Sequence, residues 1–324
     1  MARTTSAFRF EAFGEASVLK MTEVDLPEPA AGEIQIEHAA IGVNYIDIYH
    51  RKGVFAAPLP LPSGLGMEGV GTITALGAGV SGFAIGDRVA YVGGPPNGYS
   101  QARNLPAARA LAVPDDLTSE TVAALIFKGL TVEYLIHRCR KVEPGDTVLW
   151  HAAAGGVGSI ACQWLSSKGV TVIGTVGSPE KTKIAEANGG SHVINYRDED
   201  FEARVKEITH GAGVDVVFNA AGADTFAKSL NCLRPRGSMV SFGEASGPVA
   251  ERVVQSLNQI IEWRGKTFDQ GGQWPRICQF HTDDLGQDAG HRLDPHPTRQ
   301  APEERLCRAP QPDGPARMAG PLHP

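Results

Sequence analysis

Residues 147–158 read Thr147-Val148-Leu149-Trp150-His151-Ala152-Ala153-Ala154-Gly155-Gly156-Val157-Gly158. The first five follow the turn Pro144-Gly145-Asp146 and are mostly apolar, which predicts a buried strand. Glycines follow at once, and from Val157 to Ser167 the apolar spacing is helical. A glycine-rich turn from strand into helix presents free backbone N–H groups and a partial positive charge, which suit a pyrophosphate. Gly155 lets the backbone approach the phosphates, Gly156 and Val157 carry the turn into the helix, and Gly158 lets the helix pack on the strand. Ala153 stands where G-x-G-x-x-G has its first glycine. A tight connection alone would use similar glycines, but the regular strand–helix alternation that follows favours a dinucleotide site.

Downstream, Gly169–Gly174 reads as a strand and Ser178–Asn188 as a helix, with Ser178 as N-cap, Pro179 in the first turn and Gly189 as the stop. His192–Asn195 is a short strand, Glu202–Thr209 a helix, and Val214–Phe218 and Ser238–Phe242 are buried strands. This alternation predicts an α/β fold with a doubly wound parallel sheet of the Rossmann type. NAD sites usually carry an acid at the end of the second strand to hold the ribose hydroxyls. Here that position reads Gly174-Thr175-Val176-Gly177-Ser178, with no acid. Lys181 follows one turn into the helix, and Tyr196-Arg197 follow the third strand. Small hydroxyls and nearby cations suit a 2′-phosphate, so NADPH is expected over NADH. Taken alone, Lys181 also reads as a solvated helix lysine.

Upstream of about residue 120 the texture is different. Ile34-Gln35-Ile36-Glu37 alternates as a strand with one buried face does, and Gly69–Gly77 and Asp87–Tyr91 read as further strands. Frequent Gly and Pro turns give the region a barrel-like, all-β look. From Ser119 to Arg138 the spacing becomes helical. The last 75 residues hold 9 of the 22 prolines, 8 Arg against 1 Lys, and 4 of the 10 His, and regular periodicity largely stops. That bias resembles a GC-rich gene translated in another frame, and it predicts a mostly irregular tail. The expected organisation is a β domain over 1–120, a nucleotide-binding domain over 121–249 and an atypical tail over 250–324.

Of the 324 residues, 42% are hydrophobic and 20% charged, ample for two cores, and the net charge is -6. An acidic chain has no general electrostatic reason to bind nucleic acid or an anionic membrane. No apolar run follows Met1-Ala2-Arg3-Thr4-Thr5-Ser6, so no secretory signal is expected, and no stretch approaches a membrane span. Five unpatterned cysteines, Cys139, Cys162, Cys232, Cys278 and Cys307, fit a reducing cytoplasm.

Several motifs together are specific: Gly42-Val43-Asn44-Tyr45-Ile46-Asp47, Pro62-Ser63-Gly64-Leu65-Gly66-Met67-Glu68, Lys128-Gly129-Leu130-Thr131, the glycine turn with Ser159-Ile160-Ala161-Cys162-Gln163-Trp164, Asn195-Tyr196-Arg197 and Ser241-Phe242-Gly243. With them the chain, from about Phe8 to Val249, resembles the zinc-independent quinone oxidoreductases (zeta-crystallin-like) of the medium-chain dehydrogenase/reductase superfamily. The resemblance implies a GroES-like β domain before the Rossmann domain, with the active cleft between them. It implies Lys128 and Thr131 near the nicotinamide end, Lys181 and Tyr196 at the 2′-phosphate, and Asn44, Asp47 and Tyr49 on the substrate side. Ser178, Phe242 and Gly243 complete the expected cofactor contacts. It further implies a homodimer. The family continues past Ser246-Gly247 with a further strand, a dimer-forming edge and returning helices, of which only Leu257-Asn258-Gln259 is an echo.

Zinc-dependent relatives carry Cys where this chain has Asn44 and His where it has Met67, and a four-cysteine lobe after the strand near Val89. No cysteine precedes Cys139 here, so neither zinc site assembles in that way. The expectation is metal-free reduction of a small-molecule quinone by NADPH, with an NADPH-dependent enone or enoyl reductase and a non-catalytic NADPH-binding or truncated homologue as alternatives. Asn44 is the candidate oxyanion donor. For single residues other roles stay open: a buried amide for Asn44, a capping carboxylate for Asp47, packing for Tyr49 and a core position for His151.

Overall fold

The computed structural model describes residues 3–55, 58–247 and, as backbone, 278–281. Two small β-sheets come first. Strand β1 (Arg3–Phe10) pairs antiparallel with β2 (Lys20–Leu26), Arg3 opposite Leu26. After β3 (Glu33–Ile41) the chain makes a short helix α1 (Tyr45–Lys52), ended by Gly53 at φ 65°, a left-handed position that favours glycine. Strands β4 (Ser63–Gly64), β5 (Glu68–Leu76), β6 (Arg88–Val92), β7 (Ala102–Pro106) and β8 (Ala110–Ala112) follow. Five of these form an antiparallel sheet in the order β7-β3-β5-β6-β8. Ile34, Ile36, Ile73, Val89, Tyr91 and Leu105 are its core.

The alternation in β3 places Ile34 and Ile36 inside as expected, but Gln35 is buried as well. Its amide is satisfied there: Nε2 donates to Pro27 O and Asn104 Oδ1, both at 3.1 Å, and Oε1 accepts from Arg3 Nη1 at 2.8 Å. A polar side chain at a nominally solvent position can be buried when every donor and acceptor is matched.

Helix α2 (Ser119–Glu133) begins at Thr118, whose hydroxyl accepts from Thr121 N at 3.2 Å. Its last expected turn is instead a π-type turn over Tyr134–Cys139. Then strand and helix alternate: β9 (Thr147–His151), α3 (Gly156–Ser167), β10 (Thr171–Val176), α4 (Pro179–Ala187), β11 (His192–Asn195), α5 (Phe201–Ile208), β12 (Val214–Asn219), α6 (Ala223–Asn231) and β13 (Leu233–Ser241). The sheet order is β11-β10-β9-β12-β13, all parallel. The chain therefore winds outward from β9 to β11, crosses back, and winds outward again from β12. One core face packs Trp150, Ala161, Leu165 and Leu135; the other packs Phe201, Val205, Phe226 and Met239.

An antiparallel edge strand, β14 (Cys278–His281), pairs with β13 in register Ser238↔His281. The expectation of an irregular tail otherwise lies outside the described residues. These four pair because β13 would be the sheet edge, offering a row of free N–H and C=O groups. Among the described residues no helix is long and apolar enough to cross a membrane.

Candidate active site

The strand order reverses between β9 and β12, and at such a point the loops leaving the strand C-termini diverge and leave a crevice. A cavity of about 610 Å³ lies there, lined by His151, Gly155, Thr175, Lys181, Tyr196 and Ser246 among others. The glycine turn forms its floor. Gly155 caps α3 in extended geometry, and its N–H donates to Ala152 O at 2.8 Å. Ala152 itself is left-handed at φ 56°, a strained place for an alanine. A Cβ on Gly158 would overlap Ala152 O and come 2.7 Å from Ala153 Cα, so only glycine lets α3 sit this close to β9. Ala153 is fully buried, and its Cβ fills the space that Gly174 leaves open.

Lys181 and Tyr196, predicted as a pair from separate elements, both line this cavity; Arg197 is not among its lining residues. Tyr196 reaches across because Gly177 has no side chain: a Cβ there would be 2.6 Å from the phenol oxygen. The Ser178 hydroxyl is the N-cap of α4 and accepts from Lys181 N at 3.4 Å. Phe242 packs its ring against Trp150 at 5.7 Å, and Gly243 lies against Ala220 too closely for a side chain.

His151 is fully buried at the cavity wall. Its Nε2 is 2.7 Å from Ser229 Oγ, and its Nδ1 is 2.8 Å from Thr175 Oγ1. Because Ser229 Oγ donates to Thr225 O at 2.7 Å, its lone pair faces the ring. The network thus assigns the proton to Nε2 and makes Nδ1 an acceptor from Thr175. Burial pushes the imidazole pKa down to about 3.

Of the residues expected on the substrate side, Asp47 and Tyr49 lie on α1 and Asn44 is its N-cap. Asp47 is buried, and its Oδ2 accepts from Asn44 N and from Tyr99 Oη, both at 2.9 Å. This is the capping role weighed for it above, and burial holds its carboxyl above the usual range. Tyr49 Oη accepts from Glu244 N at 2.8 Å, and Tyr45 Oη donates to Ala245 O at 3.3 Å, so two tyrosines of α1 bridge to the segment after β13. Burial pushes the Tyr49 phenol up to about 12. Thr131 donates to Phe127 O at 2.8 Å, one turn back in its own helix.

Asn44 and Lys128 come together on a residue the sequence did not single out. Glu68, at the start of β5, is fully buried. Its Oε1 accepts from Asn44 Nδ2 at 2.7 Å and from Lys128 Nζ at 3.1 Å, and its Oε2 accepts from Phe127 N at 2.9 Å. The signal available was a carboxylate set among apolar and glycine residues at a strand start. A second cavity of about 490 Å³ borders this cluster, lined by Gly42, Val43, Leu125, Lys128, Gly156 and Ile160 among others. Among the described residues no three of His, Cys, Asp and Glu gather as a metal site would require.

Two family models match the chain: "Alcohol dehydrogenase GroES-like domain" over residues 30–142 and "Zinc-binding dehydrogenase" over residues 156–281. A quinone oxidoreductase of Pseudomonas aeruginosa is 45% identical over 251 residues, 78% of this chain and 77% of that protein. A 2-haloacrylate reductase of a Burkholderia species is 46% identical over 244 residues, 72% of each chain. The solved structure of Escherichia coli quinone oxidoreductase, described as a complex with NADPH, superposes with a TM-score of 0.76 at 44% identity, covering 78% of each chain.

Proposed function

This chain belongs to the quinone oxidoreductase family of medium-chain dehydrogenases/reductases, and we propose that it reduces quinones with NADPH, without zinc. The observation that carries the cofactor choice is the pairing of Lys181 with Tyr196 in a cavity whose second strand ends in no acid. There the free N–H groups at the start of α3 suit the pyrophosphate, and Lys181 and Tyr196 suit the 2′-phosphate. A β domain over 1–120 and a Rossmann domain over 121–249 go with this reading, in which the acceptor is expected on the Asn44 side of the glycine turn.

NADPH, when bound, supplies the hydride. The chain's own work is placement and charge. Glu68 accepts only, so it fixes which way the Asn44 amide is turned: Nδ2 faces the carboxylate, one of its N–H groups is taken, and the other is left to donate. That second N–H is the donor for the oxygen on which charge develops as hydride reaches the ring. The Tyr49 phenol, with its acid strength lowered by burial, contributes a hydrogen bond and not a proton. Water delivers the proton to the hydroquinone oxygen, so no strong general acid is needed.

The residues present do not fit zinc. Asn44 turns an N–H and not a thiolate toward the cluster, Met67 replaces an imidazole, and of the two buried carboxylates Glu68 already pairs with the Lys128 ammonium while Asp47 accepts from Asn44 N and Tyr99 Oη. The similarity to a 2-haloacrylate reductase supports a second reading in which the acceptor is an activated alkene. Both are tested by following the nicotinamide absorbance with 1,4-benzoquinone or 2-chloroacrylate, and with NADPH or NADH. Quinone-dependent loss of NADPH faster than of NADH is expected; turnover with the alkene alone would replace the quinone assignment, and binding of NADPH without turnover on either would replace the enzyme.

A further inference from the structure

A fully buried carboxylate is costly unless it is paired and hydrogen-bonded, and Glu68 meets three donors from two places in the chain. Asn44 precedes α1, Lys128 lies within α2, and Phe127 N belongs to the α2 backbone one residue before Lys128. Glu68 thus holds both the main chain and the ammonium at one point of α2. Two glycines make the arrangement possible. A Cβ on Gly42 would overlap the Glu68 carboxylate, and a Cβ on Gly156 would come 2.9 Å from Lys128 Cδ. The lysine stem therefore lies across the first residue of α3, where the phosphates are expected, with its ammonium drawn to the β domain.

We propose that Glu68 is a positioning residue for hydride transfer: it locks the Lys128 ammonium and the Asn44 amide into one preorganised donor pair beside Gly156. The proposal rests on the NADPH-dependent reading above. After binding Glu68, Lys128 retains two N–H donors and Asn44 one, and both are held by the same oxygen, Oε1. Without the carboxylate the lysine keeps its charge and its length but loses its place, and the Asn44 amide N–H loses its charged acceptor. The effect belongs to geometry, and geometry errors of about 1 Å at a reacting centre cost rate by roughly a hundredfold.

The test compares wild type, Glu68→Gln, Glu68→Asp, Lys128→Met and the double variant E68Q/K128M, reading kcat with benzoquinone, NADPH affinity by nicotinamide fluorescence, and the melting temperature. Expected are a fall in kcat of at least about tenfold in E68Q, partial recovery in E68D, and a double variant whose loss is smaller than the product of the two single losses, the part beyond K128M being what Glu68 exerts through Asn44. A melting-only role for Glu68 would not make the two losses non-additive. The proposal is overturned by an E68Q kcat within about twofold of wild type, or by losses that multiply in the double variant. If E68Q does not fold, Glu68→Asp decides: it keeps the charge but shortens the reach, so kcat is expected to fall severalfold while NADPH affinity and melting temperature stay near wild type. A folded E68D with kcat within about twofold of wild type then overturns the proposal. A wild type that binds no NADPH removes the reading beneath it, whereas an active wild type with unaffected variants removes only the role of Glu68.

Discussion

His151 makes folding stability depend on pH in a window set by its burial. The imidazole titrates near 3 in the folded chain against 6.5 for an ordinary histidine. Between those values the unfolded state binds the proton and the folded state does not, so stability falls as pH falls. The contribution is intact above the unfolded value, is lost progressively below it, and is fully lost once pH passes the folded value. At pH 5, about 1.5 units below the unfolded value, the loss is roughly 2 kcal/mol at about 1.4 kcal/mol per unit. Ser229 Oγ is already committed to Thr225 O, and Nδ1 faces the Thr175 hydroxyl beside the Phe201 ring, so neither ring nitrogen finds an acceptor for an added proton among its neighbours. His151→Gln keeps a donor for Ser229 and removes the titration. Urea unfolding of wild type and H151Q at pH 7 and pH 5 measures the difference. His38, also buried and held down to about 4, titrates in an overlapping window in both chains and cancels. Wild type is expected to lose about 2 kcal/mol more than H151Q over this interval. Equal losses would show that the folded chain admits the proton, and the burial argument would be refuted.

Gly158→Ala forces a Cβ against backbone of Ala152 and Ala153 that cannot move without shifting β9 or α3, so a loss of about 2–3 kcal/mol or more and loss of NADPH binding are expected in melting and fluorescence titration. Lys181→Ala should raise the KM for NADPH by about tenfold and leave that for NADH unchanged, since only the former has a 2′-phosphate to lose. Equal effects on both would mean that Lys181 is only a solvated helix lysine. Asn44→Ala should lower kcat by roughly tenfold to a thousandfold with little change in NADPH affinity. Unchanged turnover would take Asn44 out of the mechanism.

The Rossmann half was legible because its signals are local. Buried β9, β10 and β12 read as apolar runs, Ser178 and Pro179 mark the start of α4, and the glycine turn reports its own close packing. Helix α6 escaped because its apolar positions, Phe226 and Leu230, are sparse among polar ones. Helix α1 escaped for a sharper reason: it buries Asp47 and Arg51 while Tyr45 is exposed, the reverse of an amphipathic pattern. The edge pair β1 and β2 alternates poorly because β2 buries little beyond Leu26. In the site, the nucleotide side was readable from spacing within about fifty residues. Glu68 was not, because its meaning comes from Asn44, Lys128, Gly42 and Gly156, which approach it only in three dimensions.

The charge of the cleft follows from the same cluster. A zinc-dependent site gathers anionic and neutral ligands whose charge the metal balances. Here the Glu68 carboxylate is balanced by an ammonium of the chain itself, at 3.1 Å and largely shielded from solvent, and Asp47 is held by Asn44 N and Tyr99 Oη. A second cation at that point would meet Lys128 before it met Glu68, and it would find an amide N–H where a thiolate is needed. On the proposed metal-free reading, a set of N–H donors fixed by one oxygen stands where a metal would act. Such donors stabilise an oxygen that gains charge late and can be protonated by water, which fits a quinone. They would polarise an unactivated carbonyl far less than a divalent ion does. On the proposed reading, the residues that suit zinc poorly also favour an acceptor already poised to take hydride.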